Sequence, residues 1–97
     1  MTREQVIQIL GGRLADIRRQ FSVRRLALFG SVVRNEARPG SDIDVLVVFE
    51  GKPTFDAFMD LKFYLEDLLG VPVDLVTDQA LRPQVRQAIQ GELVDVA

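Results

Sequence analysis

The chain has 97 residues, a net charge of −2, 47 % apolar residues and neither Cys nor His. Without Cys there are no disulfides or thiolate metal sites. Without His there is no Ser-His-Asp triad, imidazole zinc site or histidine acid–base chemistry, so catalysis must rest on carboxylates, hydroxyls, Arg, Lys and backbone amides.

In chain order, Thr2 and Gln5 form a capping-box pattern, and Ile7, Leu10, Leu14, Ile17 and Phe21 follow at helical spacing, with Gly11-Gly12 interrupting the series. Leu26 to Phe29 is a short apolar run that reads as a buried strand ending at Gly30. A polar stretch of about ten residues, containing Pro39 and Gly40, leads to Ile43–Phe49, a strand rich in β-branched residues. Thr54 can cap a helix with Phe55, Phe58, Leu61, Leu65 and Leu68 along one face. Gly70 stops that helix, with Pro72 just beyond. Val73 to Val76 reads as a third strand. Pro83 suits the first turn of a last helix with Val85, Ala88 and Ile89 facing inward, ended by Gly91. The tail from Glu92 to Ala97 is ambiguous. The order α-β-(short α)-β-α-β-α predicts an α/β (α+β) fold, a small mixed three-stranded sheet with helices packed on it.

The length fits one domain over residues 1–97, expected to bury roughly 60–70 % of the surface its unfolded chain exposes. No apolar run approaches ~18 residues and the N-terminus lacks a signal-peptide core, so a soluble, cytoplasmic protein without membrane association is expected. The acidic balance argues against direct binding of a polynucleotide and favours a protein or small-molecule partner. Arg18, Arg19, Arg24 and Arg25 cluster locally, and their plainest reading is a solvated helix end.

The chemistry concentrates between Gly30 and Asp44. Gly30-Ser31 lies where a strand ends and a helical turn begins. Glycine lets the backbone approach a ligand, free amides attract anions, and the Ser hydroxyl adds a donor, a combination that suits a triphosphate. Gly-Ser pairs are also common in ordinary turns. Asp42 and Asp44 stand two apart, so strand alternation puts both on one face with Cα atoms roughly 6–7 Å apart, while Ile43 points into the core. Two carboxylates on an apolar sheet repel each other, and a divalent cation relieves this; a solvent-facing strand edge would carry such a pair as well. Asp74 changes the balance. A helix joins the second and third strands, so they should be parallel neighbours with their N-terminal ends adjacent. An antiparallel first strand would bring Gly30-Ser31 to the same rim.

Gly30-Ser31, ten residues, then Asp42-Ile43-Asp44, with Asp74 on a later strand, resembles the signature of the DNA polymerase beta-like nucleotidyltransferase superfamily. The single-domain form is similar to the minimal nucleotidyltransferases (MNT) of prokaryotes. The match runs from Leu26 to about Ile89. Arg34 and Ser41 are frequent family choices, whereas Asn35 replaces a common Gly, which bears on turn geometry. The resemblance implies metal-dependent transfer of a nucleoside monophosphate, with ATP as donor and two Mg²⁺ ions roughly 3.5–4 Å apart. Asp42 and Asp44 would ligate both ions. Asp74 would ligate the one nearer the acceptor and help deprotonate its hydroxyl. The Gly30 amide and Ser31 hydroxyl would hold the β- and γ-phosphates. Arg34 would either reach phosphate or lie on an exposed helix face, and Arg38 is a lesser candidate.

Larger relatives bind the acceptor with a second domain, so here another molecule is expected to supply that wall. MNT proteins are often antitoxins that adenylylate a tyrosine of a HEPN-domain ribonuclease toxin, and such a toxin is the expected partner; a homo-oligomer is also compatible. The alternatives are a small-molecule nucleotidyltransferase, as among aminoglycoside-modifying enzymes, and a non-catalytic binding antitoxin.

Overall fold

The N-terminal apolar series folds as two helices, α1 (Arg3–Gly11) and α2 (Leu14–Phe21), in the computed structural model, which describes residues 1–96. The capping box forms: Thr2 Oγ1 accepts the Gln5 N–H at 3.2 Å, and Gln5 Oε1 accepts the Thr2 N–H at 2.9 Å. The helix breaks after the two glycines, where the Arg13 N–H donates to the Leu10 carbonyl at 3.0 Å. Glycine gives a helix little support, and the turn loses no apolar contact because Val6, Leu10, Leu14 and Ile17 all stay in the core. Val6 is the fully buried residue of the first turns; Ile7 packs only partly against the core.

The remaining elements are β1 (Val23–Phe29), a 3₁₀ turn (Gly30–Val32), β2 (Ile43–Phe49), α3 (Phe55–Leu69), β3 (Val73–Thr77), a second 3₁₀ turn (Asp78–Ala80), α4 (Pro83–Gln90) and β4 (Val94–Asp95). Helix α3 has the expected ends. Thr54 Oγ1 accepts the Ala57 N–H at 3.1 Å, and Gly70 closes the last turn at φ +72°, with its N–H on the Glu66 carbonyl at 2.7 Å.

The strand order is β3-β2-β1-β4, with β2 parallel to β3 and β1 antiparallel to both of its neighbours. Among the described residues the expected three strands are thus four. In the tail, Leu28 pairs with Val94 and Ala27 with Asp95, and the Val96 N–H donates to the Leu26 carbonyl at 3.0 Å. This covers the free edge of β1, which would otherwise present unpaired backbone groups, and puts Val96 in the core. Ala97, the last residue of that tail, lies outside the described residues.

Strand alternation divides the sheet into two faces. Leu26 and Leu28, Ile43, Val45 and Val47, and Val73 and Leu75 meet α1, α2 and α3, whose Leu10, Ile17, Leu61 and Leu65 complete one core. Helix α4 does not join it. None of its residues is buried, and Val85 and Ala88, expected to face inward, are exposed. Three helices already fill the core face. Helix α4 lies instead on the opposite face, where Arg86, Ile89 and Gln90 line a groove of about 310 Å³ against Leu46 and Val48. Among the described residues, no helix is long and apolar enough to cross a membrane.

Candidate active site

Asp42 immediately precedes β2, and Asp44 is the second residue of that strand, alternating with the buried Ile43 and Val45. The parallel register pairs Asp44 with Asp74, and the antiparallel register pairs Asp44 with Phe29, the residue before Gly30. An Ile43 N–H bond to the Pro72 carbonyl, at 3.0 Å, fixes the start of the parallel pair. The end of β1 and the starts of β2 and β3 therefore meet at one rim, with Asp44 in the middle.

Gly30 is required there for two reasons. Its φ is +77°, in the left-handed region, and a Cβ on it would lie 2.2 Å from Asp44 Oδ2. A side chain at this position would have to displace the Asp44 carboxylate.

The rim is electrostatically strained. Asp44 is half-buried, while Asp42 and Asp74 are exposed. Burial pushes the Asp44 carboxyl up to about 6. The charge of Asp74 and a hydrogen bond shared with it push in the same direction, as do the charges of Asp42 and Glu92. Among the described residues, no three carboxylates close tightly enough to enclose a metal ion by themselves. Magnesium does not need such a cage: it keeps several waters and takes one or two carboxylates together with substrate phosphate oxygens. The open pair Asp44–Asp74, with Asp42 beside it, fits that habit, and a cation would relieve the repulsion that adds to the effect of burial on Asp44.

The Gly30–Glu36 loop is knit by its own backbone. The Val33 N–H donates to the Gly30 carbonyl at 3.1 Å and the Glu36 N–H to the Ser31 carbonyl at 2.9 Å. Asn35 takes φ +55°, a conformation Asn tolerates better than most residues. Ser31 is half-buried beside Gly30. Arg34 is exposed, with Nη1 donating to Glu92 Oε2 at 2.7 Å and Nε to Glu36 Oε2 at 3.3 Å. Arg38 sits apart on the loop, its N–H on Ser41 Oγ at 3.1 Å and its carbonyl accepting the Ser41 N–H at 2.9 Å.

Sequence reasoning missed Glu92. Its Oε1 accepts the Gly30 N–H at 2.9 Å, so the amide expected to hold phosphate is bonded within the chain. The alternation of Val94 and Val96 around Asp95 was the available signal of a fourth strand; which strand it would pair with had no local signature.

With this geometry in view, comparison with known proteins finds the nucleotidyltransferase domain family matching residues 13–96. The chain is 41 % identical over 96 residues to a protein adenylyltransferase, MntA, of Thermococcus cleftensis, covering 99 % of this chain and 97 % of that protein. A solved structure of a candidate minimal nucleotidyltransferase superposes with a TM-score of 0.83 at 37 % identity, over 97 % of this chain and 95 % of that one. A chain from the complex of a tri-AMPylated Shewanella oneidensis HEPN toxin with an MNT antitoxin matches with a TM-score of 0.68 over 94 % of this chain and 71 % of that one. At 20 % identity, this last likeness is one of fold.

Proposed function

This chain belongs to the nucleotidyltransferase domain family, and we propose that it is a cytoplasmic antitoxin enzyme that transfers AMP from ATP to a tyrosine hydroxyl of a HEPN-domain ribonuclease toxin. One observation carries the reading: the registers set Asp74 beside Asp44 at the rim where Gly30 abuts Asp44. It is supported by 41 % identity to a protein named as a protein adenylyltransferase.

In the proposed reaction the tyrosine oxygen attacks the α-phosphorus. The bond from that phosphorus to the bridging oxygen breaks, and pyrophosphate leaves. Asp42, Asp44 and Asp74 would hold magnesium, two ions by the family's pattern, which when bound supplies Lewis-acid neutralisation of the charge developing on phosphate. Asp74 is exposed at the rim and accepts the hydroxyl proton. Ser31 donates its hydroxyl to the β- and γ-phosphates. Arg34 retains N–H donors on Nη2, since Nη1 and Nε serve Glu92 and Glu36. Gly30 contributes by having no side chain, which lets the triphosphate turn approach Asp44. The acceptor protein supplies the other wall of the cleft. Each AMP adds bulk and a negative charge to the toxin, and repulsion of RNA phosphates then accounts for its silencing.

Intact-mass measurement of the HEPN protein after incubation with ATP and Mg²⁺ tests this. The expected result is a gain of one or more AMP units, absent when Asp74→Asn replaces the wild type. Full neutralisation of toxicity by Asp74→Asn, with no mass gain in the wild-type reaction, would instead establish a non-catalytic binding antitoxin.

A further inference from the structure

We propose that Glu92 is a positioning residue of the nucleotide site: its carboxylate braces the Gly30–Ser31 turn and holds the Arg34 guanidinium beside it. The proposal rests on the adenylyl-transfer reading above and deepens it. Its basis is the pairing of β4 with β1. Antiparallel partners Leu28 and Val94, carried two residues further, bring Glu92 opposite Gly30. There, one carboxylate serves two donors. Oε1 takes the Gly30 N–H at 2.9 Å, and Oε2 takes Arg34 Nη1 at 2.7 Å.

Each of these donors needs outside support. Gly30 sits at φ +77° and has no Cβ, so its own side chain cannot hold the turn against Asp44. Arg34 is exposed, with many rotamers to lose when it engages a ligand. A carboxylate only 27 % exposed, set in the turn that leads into β4, fixes both before any ligand arrives. The other side of the loop is tied to α1. The Arg3 N–H donates to Asn35 Oδ1 at 3.0 Å, and Arg3 Nη1 donates to the Val33 carbonyl at 3.2 Å. The two terminal segments thus clamp the phosphate-binding loop between them. Arg34 keeps Nη2 without a partner among the described residues, so bracing it on Glu92 and Glu36 leaves it able to engage phosphate.

The test is calorimetric titration with Mg–ATP and Mg–AMP, together with steady-state transfer kinetics. Glu92→Ala should weaken ATP binding by about tenfold, as expected for hydrogen bonds to charged groups, and should raise KM by a larger factor than it lowers kcat. AMP binding should change far less, because AMP lacks the β- and γ-phosphates. Glu92→Gln keeps an acceptor for the Gly30 N–H and should recover part of the ATP affinity. The Gly30 amide resonance should move in Glu92→Ala and stay near its wild-type position in Glu92→Gln. Should Glu92→Ala fail to fold, Arg34→Gln, on an exposed side chain, carries the test, and unchanged ATP affinity there overturns the proposal. ATP binding by Glu92→Ala as tight as wild type or tighter also overturns it; the tighter case would mean that Glu92 competes with phosphate. So does a Glu92→Gln protein no better than Glu92→Ala. Failure of the adenylyl-transfer reading shows separately, as wild-type protein that binds ATP but leaves its partner's mass unchanged.

Discussion

The two faces of β2 use the same seven-residue strand for opposite purposes. On one face Ile43, Val45 and Val47 are at most 2 % exposed and meet Leu61 and Leu65 of α3. On the other, Asp44 takes the place an aliphatic residue would take, next to Asp74 and against Gly30. The first face gains stability by excluding water. The second gives up stability at Asp44, because this half-buried carboxylate stands beside the like charges of the exposed Asp74 and Asp42. Alternation lets both coexist within one residue of each other: a strand can carry a reactive rim without disturbing its core, since neighbouring side chains never share a face.

Asp44→Asn should break the contrast most sharply. Transfer activity should fall by about a hundredfold or more, as for loss of a principal catalytic group. The fold should survive, because the change removes repulsion and leaves the core face untouched. Transfer kinetics and a thermal melt in the absence of divalent cations check the two halves. A variant that keeps its activity would separate this rim from the chemistry.

Leu65→Ala is the complementary change. It empties a fully buried position of the core face and should cost about 2–5 kcal/mol of stability. Chemical denaturation measures the cost. ATP affinity per folded molecule, measured well below the melting temperature, should stay near wild type.

The smallest effect is a pH dependence that sharpens the comparison. The folded-state pKa of Asp44 is raised from 3.8 to about 6, so over that range the folded state holds a proton that the unfolded state has released. The stabilising contribution of the protonated carboxyl is fully present below the unfolded value and is lost as pH rises through about 6. In EDTA, the melting-temperature advantage of Asp44→Asn over wild type should therefore be small near pH 4 and grow towards pH 7. Divalent cations at neutral pH should reduce that advantage by neutralising the wild-type rim. A constant difference across the range would mean that neither burial nor the neighbouring charges destabilise the ionised Asp44.

Much of the fold was legible because it depends on short-range rules. The Thr2–Gln5 box and the Thr54 and Gly70 caps are local bonds between residues up to four apart. The adjacency of Asp44 and Asp74 was legible for a different reason: a helix linking two strands makes them parallel neighbours. Helix α4 was misread on one point. Its periodicity is real, but three helices already occupied the core face, so Val85 and Ala88 meet solvent. The break after Gly12 was visible as a weakness in the helical pattern, though the choice between a bend and a turn was made by packing onto the sheet.

The sequence by itself determined the chemistry at hand, a set of carboxylates and a glycine–serine turn in a chain without His or Cys, and the order of most elements that carry it. Only the tertiary structure decided how that set is held. Glu92 lies 62 positions from Gly30 in the chain, and nothing in the residues around either one marks them as partners. They meet because the unsatisfied edge of β1 takes up the tail as a fourth strand and Val96 gains burial in the same step. Edge pairing and burial belong to the whole sheet, so the brace on the loop exists only once the sheet is assembled.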